Sequence, residues 1–92
     1  MKILILGAGQ VGSTLAKYLC SDDDNDITIV DQKEEMLTPL QRHLDIKTVI
    51  GYGAYPSVLE KAGIKSMDVV IAVMRSDERN MVACRMAHTL YN

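Results

Sequence analysis

MKILILGAGQVGSTLAKYL, residues 1–19, decides how the rest of this chain is read. KILIL (2–6) is a short, almost wholly apolar run that ends at a glycine. Such a run predicts a strand buried on both faces. Residues 10–20 continue as a helix, because Gly12, Leu15, Ala16 and Leu19 fall at i, i+3, i+4 and i+7 on one face. Between them lies GAGQVG, residues 7–12, a full G-x-G-x-x-G in the strand-to-helix setting that gives the motif meaning. Gly7 permits a tight turn, Gly9 lets a pyrophosphate approach the backbone, and Gly12 lets the helix pack against the strand. Phosphates would rest on free N–H groups at the helix start, where the dipole also favours negative charge.

Working outward, SDDDND (21–26) is a solvated turn and ITIVD (27–31) a second strand ending in an acid. Asp31 stands 19 residues after Gly12, the position expected for an acid that accepts both ribose hydroxyls. It would repel a 2′-phosphate, and Lys33 is the only nearby cation, so the pattern favours NAD(H) over NADP(H). Residues 33–44 read as a second helix with Met36, Leu37, Leu40 and Leu44 on one side. Pro39 interrupts it, which predicts either a kink or a helix starting near Thr38 with Pro39 at its first position. KTVIG (47–51) is a third strand, 51–54 a loop, and 56–62 a short helix ended by Gly63. DVVIAVM (68–74) is a fourth strand. A last helix, capped by Ser76 or Asp77, is expected to run to about Tyr91.

The alternation βαβαβαβα implies an α/β fold with a parallel sheet and right-handed crossovers. A full dinucleotide fold has six strands. Four are counted here, so the expectation is a truncated Rossmann-like sheet of order 3-2-1-4 with helices on both faces. In that order the fourth strand is an apolar edge, and edges of that kind recruit another chain. A dimer through this strand or the last helix is therefore expected.

Composition narrows the function classes. At 92 residues the chain is one domain, and its net charge of −2 carries no basic nucleic-acid footprint. No apolar run, ILIL and VVIAVM included, is nearly long enough to span a bilayer, and no signal peptide is legible. Cys20 and Cys84 match no metal spacing and read as reduced thiols. Asp22, Asp23, Asp24 and Asp26 lack the spacing and closing Glu of a calcium loop. His43 and His88 fall on expected helices, away from the strand ends where ligands bind in such sheets. Met67, Met74, Met81 and Met86 read as core filler. No Tyr-x-x-x-Lys is present, and no substrate domain follows the cradle.

MKILILGAGQVGSTLA, NDITIVD, GYGAYPSVLEKAG and VVIAVMRSDERNMVAC together resemble the TrkA N-terminal (RCK or KTN) domain family, across essentially the whole chain. The glycine motif is shared by many nucleotide folds; SDERNMVAC is far more specific to this family. The resemblance implies a regulatory sensor of bacterial Trk potassium uptake, not an enzyme. Such a domain binds NAD(H), or in some cases ATP or ADP. It works in the cytoplasm, peripheral to the inner membrane, and gates a separate membrane potassium channel subunit by changing shape. Residues 1–92 would be one such domain of a larger regulator. Carried onto this sequence, Gly7, Ala8, Gly9, Gln10 and Val11 would hold the pyrophosphate and Asp31 the ribose. Gly51 and Tyr52 would lie near adenine, and Met74 and Arg75 would meet the far side of the ligand. Ser76, Asp77 and Asn80 would cap the last helix. Many members have an Asp where Tyr52 stands, and some that bind triphosphates have an Arg where Gln10 stands. Two other readings stay open: the cofactor-binding half of an NAD-dependent dehydrogenase, and an oligomerisation module with a vestigial nucleotide site.

Overall fold

Alternate residues of the first strand enter two different cores. In the computed structural model, which describes residues 1–53 and 55–74, β1 spans Lys2–Leu6. Ile3 and Ile5 pack with Ala16, Ile27, Ile29, Leu37 and Leu40. Leu4 and Leu6 pack with Val30, Leu59, Ala62 and Ile64. A strand whose two sides are both covered has to be apolar at every position, which is why ILIL shows no period-two alternation.

Seven further elements follow: α1 (Gln10–Cys20), β2 (Asp26–Asp31), α2 (Glu34–His43), β3 (Lys47–Ile50), α3 (Pro56–Lys61), a single 3-10 turn (Ile64–Ser66) and β4 (Val69–Ala72). The four strands form one parallel sheet in the order β3-β2-β1-β4, as the sequence predicts. The order explains the two cores. The crossovers through α1 and α2 each step one strand in the same direction, and both helices lie on the Ile3/Ile5 face. The third crossover leaves β3, passes β2 and β1 and lands at β4, in the opposite direction. A right-handed crossover that reverses direction must use the opposite face. Accordingly α3 packs on the Leu4/Leu6 side.

Local chemistry sets the ends of the elements. Gly63, at φ +81°, ends α3 in the left-handed conformation that glycine adopts at little cost. At the N-terminal edge of the sheet the Asp68 carboxylate accepts the Lys2 N–H at 2.7 Å. The β4 ladder continues at both ends of that strand, with the Asp68 N–H donating to the Lys2 carbonyl and the Val73 N–H to the Leu6 carbonyl. The expected span 68–74 is thus shortened to Val69–Ala72 only at its frayed ends.

One expectation is corrected. α2 does not begin near Thr38; it runs from Glu34, with Pro39 as its sixth residue. Leu37 and Leu40, on either side of Pro39, are both buried, and packing of that apolar face outweighs the proline's cost. Pro39 itself faces solvent. The 3-10 turn after Gly63 was not foreseen in the sequence and seats the buried Ile64 against Leu59 and Ala62. The expected last helix lies outside the described residues.

Candidate functional site

All four strands are parallel, so their C-terminal ends share one edge of the sheet. That edge carries the glycine loop after β1, Asp31 at the end of β2, Gly51 and Tyr52 after β3, and Met74 just beyond β4. Strand order reverses between β1 and β4, which makes the crevice beside the glycine loop the topological switch point where ligands bind in open α/β sheets.

The three motif glycines stand in three different settings. Gly7 has φ +115°, outside the reach of ordinary L-residues, and a Cβ there would stand 2.9 Å from the Val73 carbonyl oxygen. Its N–H donates to the Val30 carbonyl at 2.7 Å, which sets the turn against β2. A Cβ on Gly12 would sit inside the van der Waals shell of the Gly7 carbonyl oxygen, so helix and strand touch directly here. Gly9 differs. Its backbone (φ −71°, ψ −163°) suits any residue, and nothing lies within 4 Å of where its Cβ would be. Neither backbone strain nor packing asks for glycine at this position. What it leaves is open space over the start of α1.

That space faces hydrogen-bond donors. Gly9 is the N-cap of α1 and supplies no side-chain cap. Among the described residues no acceptor receives the N–H groups of Gly9, Gln10, Val11 or Gly12. The Ser13 and Thr14 hydroxyls turn away and donate to the Gln10 carbonyl at 3.2 and 2.7 Å. The first turn of α1 holds no acidic residue, whereas that of α2 holds Glu34 and Glu35. No acid of its own first turn meets the positive end of the α1 dipole, whereas Glu34 and Glu35 meet that of α2. A group of phosphate charge and size fits this cradle on backbone alone.

Asp31 is half-buried and closes the other side of the glycine loop. Its Oδ2 accepts the Ala8 N–H at 2.9 Å and its Oδ1 accepts the Lys33 N–H at 2.8 Å. Its backbone carbonyl accepts the Gly51 N–H at 2.9 Å. A carboxylate offers about four acceptor positions. Two are used here, leaving one on each oxygen for a pair of hydroxyls. The bond to Ala8 had no signal in the sequence, since it joins positions 23 apart that only the β1–β2 pairing brings together.

Gly51 packs its α-carbon against Val58 of α3; a Cβ there would lie 2.7 Å from the valine side chain. The Tyr52 ring meets the Tyr55 ring edge-on, centroids 4.9 Å apart, and leans on the core beneath α3. Gly53 is buried near Leu6 and the Met74 sulfur, so the loop after β3 reaches across to the crevice. Met67 and Met74 pack on the same core, as core filler should. Of the residues singled out in the sequence, Gly7, Ala8, Gly9, Gln10, Val11 and Asp31 are gathered at one place; Gly51, Tyr52 and Met74 rim it; Arg75, Ser76, Asp77 and Asn80 lie outside the described residues, as do Met81, Cys84, Met86 and His88. His43 ends α2 at the opposite edge of the sheet. The acidic turn 21–26 assembles no metal-binding group among the described residues. No helix among them is long and apolar enough to cross a membrane.

A parallel α/β sheet of this order, with a glycine-capped helix start at its switch point, defines a Rossmann-like domain. Comparison narrows the class. The model of the TrkA-N domain family matches residues 3–92. The Trk system potassium uptake protein TrkA of Halomonas elongata is 55% identical over 91 residues, covering 99% of this chain and 20% of that protein. Among solved structures, the TrkA-N domain of the inner membrane protein ybaL from Escherichia coli superposes with a TM-score of 0.86 at 18% identity, covering 96% of this chain and 64% of that one. The Kef CTD of Shewanella denitrificans, in an AMP bound form, gives 0.83 at 22% identity and covers 99% and 54%. The chain belongs to the TrkA-N domain family. It spans about one fifth of the length of the curated relatives it matches first.

Proposed function

We propose that this domain is the nucleotide-binding regulatory part of a bacterial Trk-type potassium uptake system, and that its ligand is NAD(H). The observation that carries the reading is the cradle at Gly9: open space and N–H groups that meet no acceptor among the described residues, with the Asp31 carboxylate beside it. Gly7 to Val11 hold the pyrophosphate and Asp31 the ribose. Gly51 and Tyr52 flank the base, and Met74 and Arg75 meet the far half of the ligand. Binding occurs without turnover and acts by favouring one conformation of a larger assembly, since a ligand shifts only equilibria between states it binds unequally. The partner is a membrane potassium channel subunit, which holds the domain at the cytoplasmic side of the inner membrane. Copies of the domain associate through β4 and the last helix. Val69, 36% exposed on the edge strand, supports this. The relatives' name as a potassium uptake protein supports the system, and the AMP bound form of the Kef domain supports an adenosine nucleotide as the ligand class.

Isothermal titration of the protein with NADH, NAD⁺, NADPH, ADP and ATP tests the reading. NADH or NAD⁺ should bind at least about tenfold more tightly than NADPH, whose 2′-phosphate meets the Asp31 charge. A preference for ADP or ATP would shift the reading to an adenine-nucleotide sensor. Hydride transfer from bound NADH to an added carbonyl compound would revive the dehydrogenase reading, and no binding at all would favour the assembly module.

A further inference from the structure

We infer that Asp31 is a positioning residue for the phosphate cradle as well as the acceptor for ribose, so that one carboxylate couples the two ends of the ligand. The inference rests on the nucleotide-binding reading above and goes beyond it by giving Asp31 a task toward phosphates it does not touch.

Three segments of the sheet edge converge on this residue. The glycine loop donates from Ala8 to Oδ2, the start of α2 donates from Lys33 to Oδ1, and the exit of β3 donates from Gly51 to the Asp31 carbonyl. Ala8 stands between Gly7 and Gly9, so the loop is flanked by the two least restrained backbone positions a chain offers. Its tethers on either side are the Gly7 bond to Val30 and the Ser13 bond to Gly9. Between them, among the described residues, the carboxylate supplies the one hydrogen bond that holds the middle of the loop. Ala8 is 2% exposed, so once that acceptor is removed its N–H reaches water only as the loop loosens.

Ribose binding does not compete with this bond. Each carboxylate oxygen keeps one acceptor position, enough for two vicinal hydroxyls. A ribose held there fixes the carboxylate, and the carboxylate fixes the loop that presents Gly9 and the α1 N–H groups. The ordering cost of the cradle is then met partly by the sugar, and phosphate binds a site already rigid.

Electrostatics makes the test decisive, because the two roles predict opposite signs. If Asp31 serves ribose alone, its removal deletes a negative charge near the cradle. Binding of inorganic pyrophosphate, which has no sugar, should then be unchanged or tighter. If Asp31 positions the cradle, pyrophosphate binding should weaken by about tenfold, the worth of a charge-assisted hydrogen bond. The experiment is an amide-resolved NMR titration of wild type, Asp31→Ala and Asp31→Asn with pyrophosphate and, separately, NADH. Hydrogen exchange of the ligand-free proteins is measured alongside. Asn is close in shape and keeps one acceptor oxygen, so it holds one of the two N–H groups; it covers the event that the Ala variant does not fold. We expect weaker pyrophosphate binding in both variants and faster exchange at Ala8, with Gly7, bonded to Val30, unchanged. Pyrophosphate affinity equal to or above wild type, or an Ala8 amide that stays protected, overturns the inference. Wild type that binds neither ligand overturns the nucleotide reading instead, and Ala8 exchange then decides by itself whether the carboxylate holds the loop.

Discussion

Substituting the glycines of GAGQVG should separate folding from binding one position at a time. Gly9→Ser places a good capping residue at an N-cap whose backbone already suits it. Thermal unfolding should show a midpoint equal to wild type or slightly above it. The added side chain occupies the cradle and its hydroxyl takes an N–H that phosphate would use, so NADH affinity should fall by about tenfold or more in titration. Gly12→Ala does the reverse. Its methyl collides with the Gly7 carbonyl, and backbone cannot give way as a flexible side chain does. A loss of about 1–3 kcal/mol is expected, seen as a lower midpoint in chemical denaturation. The residue scale is also where the sequence is most and least informative. The three glycines were legible because their spacing between a strand and a helix is a local pattern, although local geometry demands glycine only at Gly7 and Gly12. The second use of Asp31 was not, since a hydrogen bond between two strand ends has no sequence period to betray it.

At the level of elements, α2 carries the lesson about proline. The sequence weighed Pro39 by its intrinsic cost and expected a kink or a late start, and the late start is what the structure overturns. The helix runs through it, because Met36, Leu37, Leu40 and Leu44 need one continuous face against the sheet. Acidic residues in its first turn, and Arg42 and His43 in its last, suit the dipole at both ends. The proline remains a cost that the element bears. Pro39→Ala restores a backbone donor on the solvent side and should stabilise the domain by about 1–3 kcal/mol, below the full intrinsic difference because proline also restrains the unfolded chain. A higher midpoint in thermal unfolding checks it. A midpoint that falls would mean the ring packs on something that its exposed position does not suggest. The strands were read correctly to within a residue or two because runs such as ILIL and ITIV have no reading but a buried strand between glycine or acid boundaries. The 3-10 turn escaped notice because three residues are too few to show a period.

For the whole molecule, burial among the described residues is divided between two modest cores, and the one beneath α3 is covered by a six-residue helix. Leu59 is wholly buried there. Leu59→Ala should cost about 2–5 kcal/mol, a large share of what a domain of this size has. Ligand should offset part of it: at 100 times its dissociation constant NADH adds about 2.7 kcal/mol. Leu59→Ala should therefore unfold near ambient temperature alone and recover in saturating NADH, as a scanning calorimeter would record.

The order β3-β2-β1-β4 also has a history in time. β1, β2 and β3 are joined by crossovers that close short stretches of chain, whereas the bond between Lys2 and Asp68 spans 66 positions. Contacts of such separation close slowly, after the loop entropy between them has been lost. The crevice exists only once β4 has docked beside β1. A chain emerging from the ribosome can thus make its glycine turn early, yet has no place for a nucleotide until its last described strand has arrived, and capture of ligand becomes a report that folding is finished.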